Sequence, residues 1–273
     1  MMNSFIPPIL LLKIRTKYIS MEFINKTSYT REEDLKRLKF IQSSILNLNN
    51  PSTTVLDVGC GNGNNSRQLA SLGFEVLGID ISNSTINEAN RLNTYANLKF
   101  ECIAAEKLSI VNKFDAIICC EVVEHIHQPA PVIQTLTNLL KKDGVLIVTV
   151  PNGYGPREVI MTKPMQAAMK NKFTWSIIAG AKKLLGFKGS TIQSEAEDLM
   201  HVQFFTKKSL IKLLQNQGLV LQKFKPTNFM ESVLPFSIVA NRVNALQKFD
   251  NWLADQLPIS FSSGFMTTWK LKD

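Results

Sequence analysis

Thr53-Thr54-Val55-Leu56-Asp57-Val58-Gly59-Cys60-Gly61-Asn62-Gly63-Asn64-Asn65 decides how this chain reads. Val55, Leu56 and Val58 form the kind of apolar run that a parallel strand buries on both faces. Gly59, Gly61 and Gly63 follow at alternate positions, where a missing Cβ permits a tight turn and close approach to a ligand. Ser66, Arg67, Gln68, Leu69 and Ala70 then read as a helix start. Strand, glycine turn and helix make a nucleotide-type pocket at the carboxyl end of a strand. A glycine loop alone is a weak signal, so its neighbours carry the decision.

Glu75-Val76-Leu77-Gly78-Ile79-Asp80 reads as a second strand, ending on a carboxylate 23 residues after Asp57. That spacing suits the ribose hydroxyls of an adenosine cofactor; the competing reading is a cap for the next helix. The glycines run G-x-G-x-G rather than the dinucleotide pattern G-x-G-x-x-G. Asp57 lies two residues before the first of them, where it would repel a pyrophosphate and attract an amino-acid ammonium. The local charge therefore favours a cofactor with a cationic end.

Working outward, the chain alternates helix and strand. Leu35, Leu38, Ile41, Ile45 and Leu48 recur at helical spacing over 31–49, with Thr30 as the expected N-cap. Strands are expected at 53–58, 75–80, 98–103, 114–120 and 145–150, and helices at 65–72, 83–92 and 129–141. After Pro151 the strand signal stops until a helix at 207–217, a strand at 219–224 and a closing strand at 265–271. This is an α/β, Rossmann-like, doubly wound sheet. Two helical inserts, 152–200 and 226–262, lie over its carboxyl edge as lid and acceptor region. The second carries one amphipathic helix marked by Val243, Leu246, Phe249, Trp252 and Leu253. Residues 1–28 read as an N-terminal extension, with translation starting at Met21, and 29–273 as the catalytic domain.

Composition narrows the classes. With 273 residues, 45% hydrophobic and 19% charged, the chain has enough apolar material for a full core. Cys60, Cys102, Cys119 and Cys120 contain no CxxC pair, which argues against a zinc finger and a disulfide framework. Free thiols fit a reducing cytoplasm. The net charge is +9. Over Arg157–Lys188 seven Lys or Arg face one acid, Glu158, amid many apolar residues. That stretch reads as a substrate lid or as a peripheral contact with anionic lipid. Nucleic acid is the weaker candidate, since aromatics are not interleaved on an expected sheet face.

Glu121-Val122-Val123-Glu124-His125 follows the fourth strand, where substrate should meet cofactor. Two carboxylates and an imidazole on one turn suit a hard or borderline divalent ion; the alternative is hydrogen bonding that only shapes the pocket. His201 is a candidate base or substrate ligand, with a helix-entry role as its rival.

The first stretch resembles the opening motif of the class I S-adenosylmethionine-dependent methyltransferases. Gly78-Ile79-Asp80-Ile81-Ser82, Lys113-Phe114-Asp115-Ala116-Ile117 through Glu121, and Leu140-Lys141-Lys142-Asp143-Gly144 through Pro151-Asn152 are similar to further motifs of that family in order and spacing. So is His201-Val202-Gln203-Phe204-Phe205-Thr206. The resemblance implies a seven-stranded sheet with its last strand antiparallel. It implies S-adenosylmethionine held by Asp57, Gly59, Cys60, Gly61, Gly63, Asp80, Ile81, Ala105, Glu106, Cys120 and Glu121. The family's acid at position 104 is Ala104 here, which shifts the expected adenine contact to Ala105 and Glu106.

The Glu-x-x-Glu-His segment resembles the ubiquinone-pathway O-methyltransferases. That likeness implies Glu121, Glu124 and His125 around a magnesium-like ion, and catalysis by Glu124, His125 and His201 on a small-molecule or lipid-linked acceptor. No obligate protein partner is inferred. The rival classes are a dinucleotide-dependent oxidoreductase and a non-catalytic S-adenosylmethionine-binding protein.

Overall fold

The computed structural model describes residues 29, 31–48, 50, 52–108, 113–169, 201–231, 233–240 and 242–272. The N-terminal extension, Thr30 and residues 170–200, which include most of the cationic stretch, lie outside the described residues.

The chain opens with α1 (Glu32–Leu46), then β1 (Thr54–Val58), α2 (Asn64–Ser71), β2 (Glu75–Asp80), α3 (Asn83–Leu92) and β3 (Leu98–Cys102). There follow β4 (Phe114–Cys120), α4 (Pro129–Leu139), β5 (Leu140–Pro151), a π-helical turn (Glu158–Thr162) and α5 (Lys163–Met169). After the undescribed stretch come α6 (Lys207–Gln215), β6 (Leu219–Pro226), α7 (Phe236–Ala240), α8 (Asn244–Gln256) and β7 (Gly264–Leu271). Seven strands form one sheet in the order β3-β2-β1-β4-β5-β7-β6, and only the β7 pairings with β5 and β6 are antiparallel.

Alternate strand residues divide between two cores, because successive side chains point to opposite faces. Leu56, Ile117, Leu146 and Val148 pack with Val132, Ile133 and Leu136 of α4 and Leu210 and Leu214 of α6. Val55, Ala116, Ile118, Val145 and Ile147 pack with Ile41 and Ile45 of α1, Leu69 of α2 and Ile86 of α3. Both faces are covered, which explains why the strands read as continuous apolar runs. Ser82 caps α3 by accepting from the Thr85 amide, and Thr206 closes a capping box with Ser209 on α6. Among the described residues no helix is long and apolar enough to cross a membrane.

Two expectations are corrected. The fifth strand begins at Leu140, not at Val145. Leu140 pairs with Phe114 and Val145 with Ala116, so residues 141–144 form an excursion within the strand. Asp115 holds this corner. It accepts from the Thr54 amide at 2.8 Å, the Thr54 hydroxyl at 2.8 Å and Lys141 Nζ at 2.9 Å. Burial alone would raise its pKa, yet the bonds from Thr54 and Lys141 hold the carboxyl below its ordinary value. A depressed carboxyl stabilises the fold above its unfolded pKa, and the stabilisation disappears as pH falls through the folded value. Asp115→Asn should therefore lose roughly 1–2 kcal/mol at pH 7. Urea melts at decreasing pH should show that gap closing once the wild-type carboxyl is protonated; a gap independent of pH would contradict this.

The second correction concerns α8. Its apolar stripe is not its buried face: Phe249 and Trp252 are each 55% exposed, while Gln247, Asp250, Asn251 and Ala254 are buried. The polar face works as a set of loop caps. Asp250 accepts from the amides of Phe229, Met230 and Glu231. Gln247 accepts from the Glu32 amide, and Asn251 donates to Glu231 Oε2. Buried backbone N–H groups need partners, and here that need outweighs the burial of two rings.

Candidate functional site

The parallel strands β3, β2, β1, β4 and β5 all end on one edge, and the chain crosses over between β1 and β4 to build outward in both directions. Ligands of open α/β sheets bind at that switch point. The glycine loop sits on it. Gly59, Gly61 and Gly63 all have positive φ, at 65°, 56° and 79°. A Cβ on Gly59 would overlap Val122, and one on Gly63 would overlap the Phe100 ring. The loop's side of the crevice is therefore backbone.

Asp57 lies under this loop, 2% exposed, accepting from Ser66 Oγ at 2.6 Å. Burial pushes its carboxyl up to about 7, against the pull of the Ser66 bond and with a smaller push from Asp80. A cation placed beside it would draw it back to the ionised form. Asp80 joins loop and second strand: the Gly61 amide donates to Oδ2 at 3.0 Å and the Ser82 amide to Oδ1 at 2.9 Å. Ile81 next to it is 75% exposed. Cys60 is buried, and its amide donates to the Ile79 carbonyl. Ala105, buried, and Glu106, exposed, form a short 3-10 turn after β3. Asp57, the three glycines, Cys60, Asp80, Ile81, Ala105, Glu106, Cys120 and Glu121 thus all stand at the carboxyl ends of β1 to β4 or in the turns that follow.

Glu121 and its neighbours part company. Glu121 has φ 55°, rare for a side-chain-bearing residue. Its Oε1 accepts from Thr149 Oγ1 at 2.9 Å and lies 3.7 Å from Arg37 Nη2. Arg37 is buried and also faces Glu33 and Asp34 on its own helix. Glu124, three residues on, is 1% exposed, with no hydrogen-bond partner on either carboxylate oxygen. Burial first, and the Glu121 charge second, push its carboxyl well above the usual range. His125 Nε2 lies 3.7 Å from Glu124 Oε1. The His125 and His201 rings stand edge to face with centroids 5.0 Å apart.

Hence the structure gathers Glu124, His125 and His201, whose ligand atoms all lie within 4.8 Å of one another. It turns Glu121 toward Arg37 and Thr149. His127 is exposed, as a turn residue would be. Arg31 pairs with Glu33 and lies 3.6 Å from Glu231, and Tyr29 donates to Asn65 Oδ1.

Two functional candidates escaped the sequence reading. Glu158, fully buried on the π-helical turn, places Oε2 3.3 Å from His201 Nδ1. Its only advance signal was being the one acid in the cationic stretch. Arg37 was hidden in an ordinary helical pattern, although its i,i+4 spacing from Glu33 was visible.

Magnesium takes several oxygen ligands in near-octahedral geometry. The gathered set offers one carboxylate and two imidazoles, and the remaining carboxylate, Glu121, is engaged elsewhere. These donors do not fit magnesium.

Similarity to known proteins agrees with this geometry. A crystal structure of an S-adenosylmethionine-dependent methyltransferase from Clostridium acetobutylicum superposes with a TM-score of 0.58 at 16% identity, covering 96% of this chain and 99% of that one. One from Listeria monocytogenes, described as a putative S-adenosylmethionine-dependent methyltransferase, gives 0.55 at 15% identity over 89% and 99%. At these identities the likeness establishes the fold. A ubiquinone biosynthesis O-methyltransferase of Glaesserella parasuis is 34% identical over 145 residues, 48% of this chain and 61% of that protein. The Colwellia psychrerythraea enzyme of the same name is 37% identical over 102 residues, 36% and 42%. The chain spans about half the length of the curated relatives it matches. Residues 29–223, well over half the chain, match the family described as "Methyltransferase domain"; the chain belongs to that methyltransferase family.

Proposed function

We propose that the protein transfers a methyl group from S-adenosylmethionine to an oxygen of a small-molecule acceptor. The observation that carries this is the buried, uncharged-leaning Asp57 carboxyl beneath an all-backbone glycine loop, with Asp80 fixed at the loop's far side. Asp57 would receive the cofactor's ammonium and Asp80 its ribose hydroxyls. Exposed Ile81 and the turn at Ala105-Glu106 would flank the adenine. A dinucleotide would bring its pyrophosphate against the Asp57 carboxyl, and the nearby cation, Arg67, is turned to the Asn62 carbonyl and Asn64 Oδ1.

The acceptor oxygen attacks the sulfonium methyl in line. The new O–C bond forms as the C–S bond breaks, S-adenosylhomocysteine leaves, and the acceptor's proton passes toward the cluster of Glu124, His125 and His201. The sulfonium is already activated, so the protein contributes proximity, orientation and deprotonation. O-methylation is favoured by the similarity to the ubiquinone-pathway enzymes over their shared half. A lipid-linked acceptor, and peripheral membrane contact through 157–188, rest on the apolar and cationic composition of that stretch.

Calorimetric titration separates the classes. S-Adenosylhomocysteine should bind one per chain with Kd on the order of micromolar, about −8 kcal/mol, and NADH should give no saturable heat. Binding of NADH without S-adenosylhomocysteine would overturn the reading. Turnover of labelled methyl donor across an acceptor panel then distinguishes an enzyme from a silent binding protein.

A further inference from the structure

We propose that the exposed face of α8 is an interface between two copies of this chain, packed antiparallel about a two-fold axis level with the midpoint of Phe249 and Trp252. The proposal is independent of the methyl-transfer reading. Phe249 and Trp252 stand outside the fold with ring centroids 5.7 Å apart, so they make one apolar platform. Ala245 and Gln256 are exposed too and continue the stripe by one turn at each end. Ala245, Phe249, Trp252 and Gln256 are spaced 4-3-4, the spacing of a seam along which two helices pack. The opposite face is already used, because Gln247, Asp250 and Asn251 cap neighbouring loops and helices. The helix therefore has one face for its own chain and a second, seam-like face with no described segment over it.

The residues beside the stripe select the occupant and its direction. Along one side run Leu246 and Leu253, both half-buried, and along the other Lys248 and Asp255. In an antiparallel pair each side of the seam meets the same side of the other helix. Phe249 then lies against Trp252 of the partner subunit, Ala245 leaves room for the longer Gln256, and Leu246 meets Leu253. Lys248 meets Asp255 of the partner subunit, twice over. A parallel pair offers neither charge an opposite partner. Charges flanking a seam set partner and orientation in this way. The helix dipole points the same way. α8 has no acid in its first turn and no base in its last, where Asp255 stands. An antiparallel copy brings a lysine to each last turn, where a cation is favoured. Within the chain Asp255 accepts from Lys36 at 2.8 Å and Lys248 lies 4.0 Å from Glu32, yet the two side chains keep 44% and 66% of their surface for a partner. A helix that lies on anionic lipid carries a polar face rich in Lys and Arg. Here the flank carries one charge of each sign, which suits a copy of itself. The helix has 13 residues, about 20 Å of length, so the contact falls at the small end of specific interfaces and the dimer is weak. The rim charges govern orientation more than affinity.

The test is sedimentation velocity on tag-free full-length protein, from low micromolar to several hundred micromolar. A monomer–dimer equilibrium is expected, with a dissociation constant on the order of tens of micromolar. Trp252→Glu should leave the protein monomeric throughout the range, because a central tryptophan carries much of such a contact. Lys248→Asp sets two acids against each other across the pair, and Asp255→Lys sets two lysines against each other. Each variant alone should raise the dissociation constant by at least about tenfold. An equimolar mixture of the two should dimerise near the wild-type constant, since each charge then meets its opposite. Thermal melts confirm that every variant is folded, and the mixing experiment decides if Trp252→Glu is not. A wild-type protein that stays monomeric at every concentration would overturn the proposal. So would a dimer that survives Trp252→Glu and both charge reversals, or a mixture that associates no better than its components. Co-sedimentation of wild type with phosphatidylglycerol vesicles, lost in Trp252→Glu while the wild type remains monomeric, would assign the face to lipid instead.

Discussion

Asp57→Asn is expected to weaken S-adenosylhomocysteine binding by at least about 30-fold while leaving the fold intact or more stable. The loss follows from removing one partner of a buried charge pair, which costs about 2–5 kcal/mol, or roughly 30-fold to several thousand-fold. The stability follows from the sign of the shift. The folded carboxyl stands at about 7, above its ordinary value. Such a group favours the folded state below its unfolded pKa, and that advantage is lost as pH rises through about 7. At pH 8 wild-type Asp57 is a buried charge lacking its cation, a penalty that asparagine removes. Ser66 Oγ keeps an acceptor in the amide oxygen. The variant should therefore melt higher than wild type at pH 8, by less at pH 5, and equally only below the ordinary carboxyl value of 3.8. Wild-type affinity should climb as pH rises through about 7, and the variant's should not. Unchanged affinity in Asp57→Asn would remove the electrostatic basis of the proposed cofactor site.

Gly63→Ala should be the most damaging single-methyl change in the loop. Its backbone sits at φ 79°, and the added Cβ would enter the space of the Phe100 ring. Strain from the left-handed conformation costs about 1 kcal/mol, and overpacking adds about 1–3 kcal/mol. Melting temperature should fall by roughly 5–12 °C. Phe100→Leu in the same chain should recover part of the loss by vacating the ring's space, while the backbone strain remains. A double variant that melts no higher than Gly63→Ala alone would show that the ring is not the obstacle.

The sheet was legible because its signals are local. Each parallel strand is short, apolar and bounded by a turn residue, and Asp57, Gly59, Gly61, Gly63 and Asp80 fall on two consecutive strand–turn units. What escaped was non-local. The early start of β5 depends on Phe114 finding Leu140 while Asp115 is pulled to Thr54 and Lys141. The turning-out of Phe249 and Trp252 depends on three amides at 229–231 that only the folded chain brings beneath α8. Glu121, Glu124 and His125 look like one unit on a line of sequence. A left-handed residue at 121 and the grip of 202–203 on residue 124 separate the first from the other two and bring His201 in its place.

The position of β7 between β5 and β6 has a consequence for synthesis. Strands β1 to β5 emerge from the ribosome in an order that lets each find a neighbour already made or close behind. β6 finds none, because its partner is β7, almost forty residues later. During that interval β5 and β6 each present an open ladder of amides and carbonyls, the kind of edge that recruits chaperones or a second nascent chain. A translational pause shortly after β6 would lengthen this exposure, so codon choice over residues 227–263 is expected to govern soluble yield more than codon choice in the first half of the chain.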